Sequence, residues 1–290
     1  MVKMSRVESK AGYFMVMPYF VYFAAFVAYP LFFSFILIFH RWNIVTPMEF
    51  IGLKNFVRLF RDELFFKAII NTLIFLSIHI PLQIVIALFF ANLLNKQIKF
   101  RAFFRALYFL PVVVSGVVIT ILWQQIYAYE TGLINQMLLG LGFKKIPWLV
   151  SPEIAMPSIA VMATWKNVGF YIVLFLAGLQ SIPNELYEVA EIDGASNFQK
   201  FFRITLPLLN PTVVLVVVLS TIGGFSLFIE PYILTGGGPL DSTLSAMLYI
   251  YNQAFYFNHM GYAATLGFFF AMVILIIVII QRKFIEREVY

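Results

Sequence analysis

Two groups of residues could do chemistry in this chain. The first lies within apolar runs. Trp165, Lys166, Asn167, Phe170 and Tyr171 fall in one run, and Ser220, Thr221, Gly223, Gly224 and Ser226 fall in the next, with Glu230 near its end. Polar and ionisable groups at membrane depth are costly, and those that persist mark pathways, relays or ligand contacts. The competing reading of each is helix packing: small residues let helices approach, Ser bonds across an interface, and Lys166 and Glu230 pair with each other or with a partner subunit. The second group lies in 180–207, QSIPNELYEVAEIDGASNFQKFFRITLP. Pro183 suits a first helical turn, where its missing N–H costs little. A short helix is predicted over Asn184–Ile192, with Leu186, Val189 and Ala190 on one face. Gly194 terminates it, because glycine adopts left-handed backbone angles cheaply. Ser196 and Gln199 have capping-box spacing for a second short helix. Pro207 then opens the next apolar run. A helix–turn–helix results, and its small residues, Ala190 and Gly194, permit close approach by another protein.

The elements that must position these groups are transmembrane helices. Of the 290 residues 62% are hydrophobic and 12% charged, against about 25% charged in soluble domains. That is too little charge to cover a water-facing surface. Six stretches are long enough to cross a bilayer as helices: 13–39, 68–92, 103–128, 154–179, 208–229 and 262–280. They are too long and too uniformly apolar for barrel strands, which alternate. Pro30, Pro81, Pro111 and Pro157 fall in or near them as local bends. The basic start with Lys3, Arg6 and Lys10 leads into an apolar run longer than a secretory signal's, so an uncleaved first span is expected.

Lysine and arginine set the orientation. With the N-terminus inside, twelve of the twenty fall on inner segments (Lys3, Arg6, Lys10, Lys96, Lys99, Arg101, Arg105, Lys200, Arg203, Arg282, Lys283, Arg287) and seven on outer loops (Arg41, Lys54, Arg58, Arg61, Lys67, Lys144, Lys145), Lys166 being within a span. Both termini are therefore expected in the cytoplasm. The outer loop from Arg41 to Lys67 alternates Leu53, Phe56, Val57, Leu59 and Phe60 with Lys54, Arg58 and Arg61, an amphipathic pattern suited to the membrane face or the bundle.

Other classes are disfavoured. The net charge of +6 comes from residues in the gaps between apolar runs, which is a membrane pattern rather than a nucleic-acid footprint. Cysteine is absent, so there is no disulfide, thiolate metal site or Cys nucleophile. His40, His79 and His259 lack metal-ligand spacing, and no nucleophile–base arrangement is visible. No repeated halves point to a secondary transporter. Trp123, with Gln124 and Gln125, is placed as an interfacial anchor.

The 180–207 segment resembles the EAA loop of permease subunits in ATP-binding-cassette importers. The motif stands as Glu188-Val189-Ala190, Gly194 and Ile204-Thr205-Leu206-Pro207, with Val189 in place of the usual Ala. The stretches AYPLFFSF, FIGLKNFVRLF with Asn71-Thr72, TWKNVGFYIVLFLAGLQSIP, LTGGGP and YIYNQAF are similar to those of the maltose and multiple-sugar subgroup. The resemblance covers essentially the whole chain. It implies an all-α, type I importer permease bundle in the cell membrane of a prokaryote. The chain would be a single permease domain, 1–290, with 180–207 as cytoplasmic coupling loop. The substrate would be a carbohydrate, with a glycerol phosphate or another polyol as the alternative and an ATP-independent transporter as the more distant one. Implied partners are a second permease subunit, two ATPase subunits and an extracytoplasmic solute-binding protein. The chain itself would be no enzyme and would bind no cofactor; it lacks the G-x-x-x-x-G-K-[ST] phosphate loop, so ATP and Mg belong to the ATPases. The resemblance assigns coupling to Glu188, Val189, Ala190, Asp193, Gly194, Leu206 and Pro207. It places Lys166, Asn167, Phe170, Ser220, Gly223 and Gly224 along the substrate pathway, and their position in the same two runs adds Trp165 and Glu230. The family often has polar residues where this chain has Gly223 and Gly224, so the chain either holds a sugar or only lines the passage beside its partner.

Overall fold

The computed structural model describes residues 6–95 and 100–286, with side chains from residue 13 onward except those of 101 and 102. Lys3, Lys96, Lys99 and Arg287, four of the residues behind the orientation argument, lie outside the described residues, as do the side chains of Arg6, Lys10 and Arg101. Among the described residues, five helices are long and apolar enough to cross a membrane: Tyr13–Leu37, Glu63–Asn95, Pro152–Gln180, Asn210–Leu234 and Met260–Ile285. Counted as one broken span, the pair Phe103–Val113 and Gly116–Ile126, bent by 95° at its break, makes a sixth. They are called here the first to sixth spans in chain order, the bent pair being the third. Helices dominate because backbone groups in hydrocarbon must bond within their own segment.

The third span differs most from expectation, since 103–128 reads as one unbroken run. The chain is extended at Val114 (ψ 143°) and at Ser115 (ψ 128°). Pro111 lies just before the break and offers no N–H to the preceding turn. The first half packs tightly against the fourth span: a Cβ on Gly169 would lie 2.1 Å from the Tyr108 carbonyl oxygen. The fifth span is also interrupted, as Asn210–Phe225 followed by Ile229–Leu234. Its neighbours run longer than their apolar cores: the second begins at Glu63 and so carries Lys67, which belongs to a helix and not to a loop.

Contacts divide the chain into two compact units. One holds residues up to Asp62 together with Ile250–Phe269, and the other holds Glu63–Tyr249 with the chain from Phe270 onward. In the first unit, the first span leads into a two-residue antiparallel ladder, His40–Arg41 with Glu49–Phe50, and then a short helix Lys54–Leu59. The expected amphipathic pattern of the outer loop is thus one helix and a hairpin. Gly261 lets the start of the sixth span approach closely, a Cβ there meeting the His40 carbonyl oxygen at 1.8 Å. In the second unit, Ala87, Ala91, Ile172, Phe175, Leu209 and Val216 form a fully buried core between the second, fourth and fifth spans. The small alanines allow close helix approach, as membrane packing favours.

Candidate functional site

The fourth span is the most deeply buried of the spans, so polar groups on it are held by neighbours. In the second unit, a cavity of about 320 Å³ opens between the second, fourth and fifth spans, beside Val112 of the third. Lys166, Asn167, Phe170 and Tyr171 line it from the fourth span, Ser220, Gly223, Gly224, Ser226 and Glu230 from the fifth, and Phe75 and His79 from the second. Of the pathway residues expected from sequence, Trp165 is the one not on this wall. It is half exposed and packs on Trp123, ring centroids 5.3 Å apart. Trp123 also lies against Tyr127, the ring centroids 5.0 Å apart and the ring planes tilted by 55°.

Lys166 and Glu230 face each other. Lys166 Nζ donates to Glu230 Oε1 at 2.7 Å, and the side chains are 16% and 9% exposed. Each neutralises the other, which is what keeps two charges tolerable at this depth. The break in the third span makes room for them, since a Cβ on Gly116 would lie 2.9 Å from Lys166 Nζ. Gln124 Nε2 donates to the Ile233 carbonyl at 2.9 Å and ties that half of the third span to the segment bearing Glu230.

The two glycines have different jobs. A Cβ on Gly223 would meet nothing within 4 Å, whereas one on Gly224 would lie 2.3 Å from Leu76 Cδ2. Gly223 faces open cavity; Gly224 is a helix-contact residue. Gly223→Ala is therefore expected to raise the thermal unfolding temperature in detergent slightly, since Ala favours a helix over Gly by about 1 kcal/mol. Gly224→Ala should forfeit that gain, because the Leu76 methyl has to shift aside at a cost of about 1 kcal/mol, the low end of overpacking. Equal melting temperatures for the two variants would contradict this assignment.

Sequence reasoning missed the second span's share of the site. Gln83 Nε2 donates to Ser220 Oγ at 2.7 Å, so the Ser220 hydroxyl serves a helix contact as well as the cavity wall. His79 stacks on Phe75 at 4.9 Å and shares a hydrogen bond with Thr164 Oγ1 at 2.8 Å. A polar residue recurring within one apolar run, Asn71, His79 and Gln83, is the signal that was there. Farther along the same span, Asn71 Nδ2 donates to the carbonyls of Asp241 (2.7 Å) and Leu244 (3.0 Å), and Thr72 Oγ1 accepts from Ala246 N at 3.0 Å. These bonds fasten the chain just after LTGGGP.

The 180–207 segment is a helix–turn–helix. The first helix is Asn184–Ile192, with Pro183 as its N-cap, one place earlier than expected. Gly194 has φ +78°, and Ala195 N donates to the Ala190 carbonyl at 2.8 Å across it. The capping box is complete: Gln199 N donates to Ser196 Oγ at 3.3 Å and Ser196 N to Gln199 Oε1 at 2.8 Å. The second helix, Asn197–Lys200, runs through a π turn, Phe201–Thr205, into Leu206–Leu208 and the fifth span. Lys200 Nζ donates to Glu191 Oε1 at 2.5 Å, and the Tyr187 and Thr205 hydroxyls share a bond of 2.9 Å. These two links hold the hairpin together, and neither was anticipated. Glu188, Val189, Asp193 and Gly194 are exposed and Ala190 is half-buried; Ile192 and Phe198 add apolar surface at 85% and 72% exposure.

With this geometry in hand, the chain can be set beside known proteins. The family of binding-protein-dependent transport system inner membrane components matches residues 65–289. The chain belongs to that family. This inner membrane transport component, a multi-pass membrane protein, is 38% identical to the arabinooligosaccharides transport system permease protein AraP of Bacillus subtilis, over 95% of this chain and 88% of that one. It is 36% identical to the trehalose/maltose transport system permease protein MalF of Thermococcus litoralis, over 87% and 84% respectively. Its fold matches a bacterial alginate ABC transporter crystallised with an alginate pentasaccharide-bound periplasmic protein, with TM-score 0.80 at 27% identity, covering 93% of this chain and 92% of that one.

Proposed function

We propose that this chain is the permease subunit of an ATP-driven importer that passes a carbohydrate, such as an oligosaccharide, from an external solute-binding protein to the cytoplasm of a prokaryotic cell. It acts as one permease domain, 1–290, with both termini inside. It pairs with a second permease subunit and two ATPase subunits, which hold ATP and Mg. The observation that carries this reading is the cavity at membrane depth, where Asn167, Ser226, Phe170 and Tyr171 converge beside a charge-neutral Lys166–Glu230 pair. Apolar and aromatic walls with a few convergent polar groups suit a hydroxyl-rich, uncharged solute: rings stack on sugar C–H faces while amides and hydroxyls bond the hydroxyl groups. An anionic solute such as glycerol phosphate fits less well, because the Lys166 charge is already taken by Glu230. The names of the relatives support the same choice, since AraP and MalF are both oligosaccharide or disaccharide permeases by description.

The coupling reading rests on 180–207. The exposed face of Glu188, Val189 and Ile192 docks in a cleft of an ATPase subunit. ATPase closure then moves the hairpin as one piece. Leu206 and Pro207 transmit that motion to the fifth span and its cavity wall, which exposes the cavity to alternate sides. The test is copurification of the tagged chain from its native membrane, followed by reconstitution of the recovered complex in liposomes. Recovery of a second permease and an ATPase, with ATP-dependent uptake of a labelled oligosaccharide, is the expected result. Uptake without ATP, or recovery of the chain alone after gentle crosslinking, would overturn the reading.

A further inference from the structure

The basic stretch after the first span has no part in the transport reading, yet it forms a site of its own within the first unit. The helix Lys54–Leu59 is pinned to the end of the first span: Asn55 Nδ2 donates to the carbonyls of Ile38 at 2.8 Å and His40 at 3.1 Å. It therefore lies where a 25-residue span, Tyr13–Leu37, leaves the hydrocarbon. One stripe, Leu53, Val57 and Phe60, is 63%, 53% and 64% exposed. Beside that stripe Lys54 and Arg58, one turn apart, open into a cavity of about 440 Å³ shared with Trp42 and His259. The wall carries one other cation, Arg41, already paired with Glu49. Neither Lys54 nor Arg58 has a carboxylate within 4.0 Å among the described residues. Arg58 is nonetheless held in place, with its guanidinium 3.9 Å over the Tyr262 ring and Nη2 3.4 Å from Gln253 Oε1. The Tyr262 hydroxyl donates to Asp62 at 2.5 Å, so that carboxylate is engaged elsewhere.

Two cations without a carboxylate partner, Arg58 held in place and Lys54 exposed beside it, at the rim of a bilayer and next to an exposed apolar stripe, match a lipid in both halves of its chemistry. We propose that this cavity binds a phospholipid headgroup, the phosphate lying between Lys54 and Arg58 and the acyl chains running along Leu53, Val57 and Phe60. Charge favours an anionic lipid, since the two cations together exceed one phosphate. The half-buried Trp42 on the wall suits the same interfacial level. Its lining shares no residue with the transport cavity, and it does not depend on the solute carried.

The experiment measures phosphatidylglycerol binding to the full-length chain in mild detergent, by native mass spectrometry and by thermal stabilisation. The controls are dioleoylglycerol, which has the chains without the phosphate, and inorganic phosphate, which has no chains. Lys54→Gln with Arg58→Gln is expected to weaken phosphatidylglycerol binding roughly 30-fold, each basic residue near the surface contributing about fivefold, and Arg58→Lys should retain it. If the double variant does not reach the membrane, Lys54→Gln alone decides by its fivefold loss. Unchanged affinity in these variants, equal binding of dioleoylglycerol, or equal protection by inorganic phosphate would each overturn the lipid site. Loss of a copurifying protein with phosphatidylglycerol affinity intact would overturn it too, by assigning this face to a protein partner.

Discussion

Gly194→Asp and Glu188→Lys are expected to abolish uptake while the chain remains inserted and folded. The structure separates these two consequences. Gly194 has φ +78°, and a Cβ there meets nothing within 4 Å. A side chain at this position therefore strains only its own backbone, by about 1–2 kcal/mol, and Asp tolerates such angles better than most residues. Glu188 is exposed, and surface substitutions usually fall within about 0.5 kcal/mol of neutral. Neither change should cost the permease its fold. What each does is place a new charge on the face proposed to enter the ATPase cleft. Mispairing a charge in a desolvated contact costs about 2–5 kcal/mol, so coupled uptake should fall on the order of 100-fold. Proteoliposome uptake, read together with ATPase copurification, checks this. Normal uptake by both variants would remove 180–207 from the coupling path.

The second large effect concerns the ion pair in the cavity. Lys166→Met leaves Glu230, 9% exposed, without its partner, and Glu230→Gln does the same to Lys166. Breaking a buried pair from one side is expected to cost about 3–5 kcal/mol, because an uncompensated charge remains in a poor solvent. Lys166→Met with Glu230→Gln removes both charges and should recover most of that loss. Thermal unfolding of the three variants in detergent is the measurement, and additive losses in the double variant would show that the pair is not coupled. If the double variant is stable and still imports sugar, the pair serves architecture. If it is stable but has lost uptake, the pair belongs to the passage itself.

Much of the hairpin was legible in the sequence because its signals are local. The helix Asn184–Ile192, the left-handed Gly194 and the Ser196–Gln199 capping box all depend on residues within a few positions of one another. The links that brace the hairpin, Glu191 to Lys200 and Tyr187 to Thr205, span 9 and 18 residues and carry no periodic signature. In the cavity the same division appears. Lys166, Asn167, Ser220 and Glu230 stood out because each interrupts an apolar run. The contributions of His79 and Gln83 came only from the packing of the second span against the fourth and fifth.

By itself, then, the sequence determined that this chain lives in a membrane, roughly where its spans lie, and that a capped helix–turn–helix joins the fourth span to the fifth. Those properties follow from composition, from run length against bilayer thickness, and from short-range capping chemistry. Tertiary structure alone decided that the third span breaks at Val114 and Ser115, that Lys166 meets Glu230, and that Trp165 faces Trp123 and not the cavity. It also decided that Gly223 is open while Gly224 is closed by Leu76. The physical reason is common to all four. A uniformly apolar helix carries little information about which of its faces meets which neighbour, so the pairing is settled by shape and by the few polar groups that must find one another across the bundle.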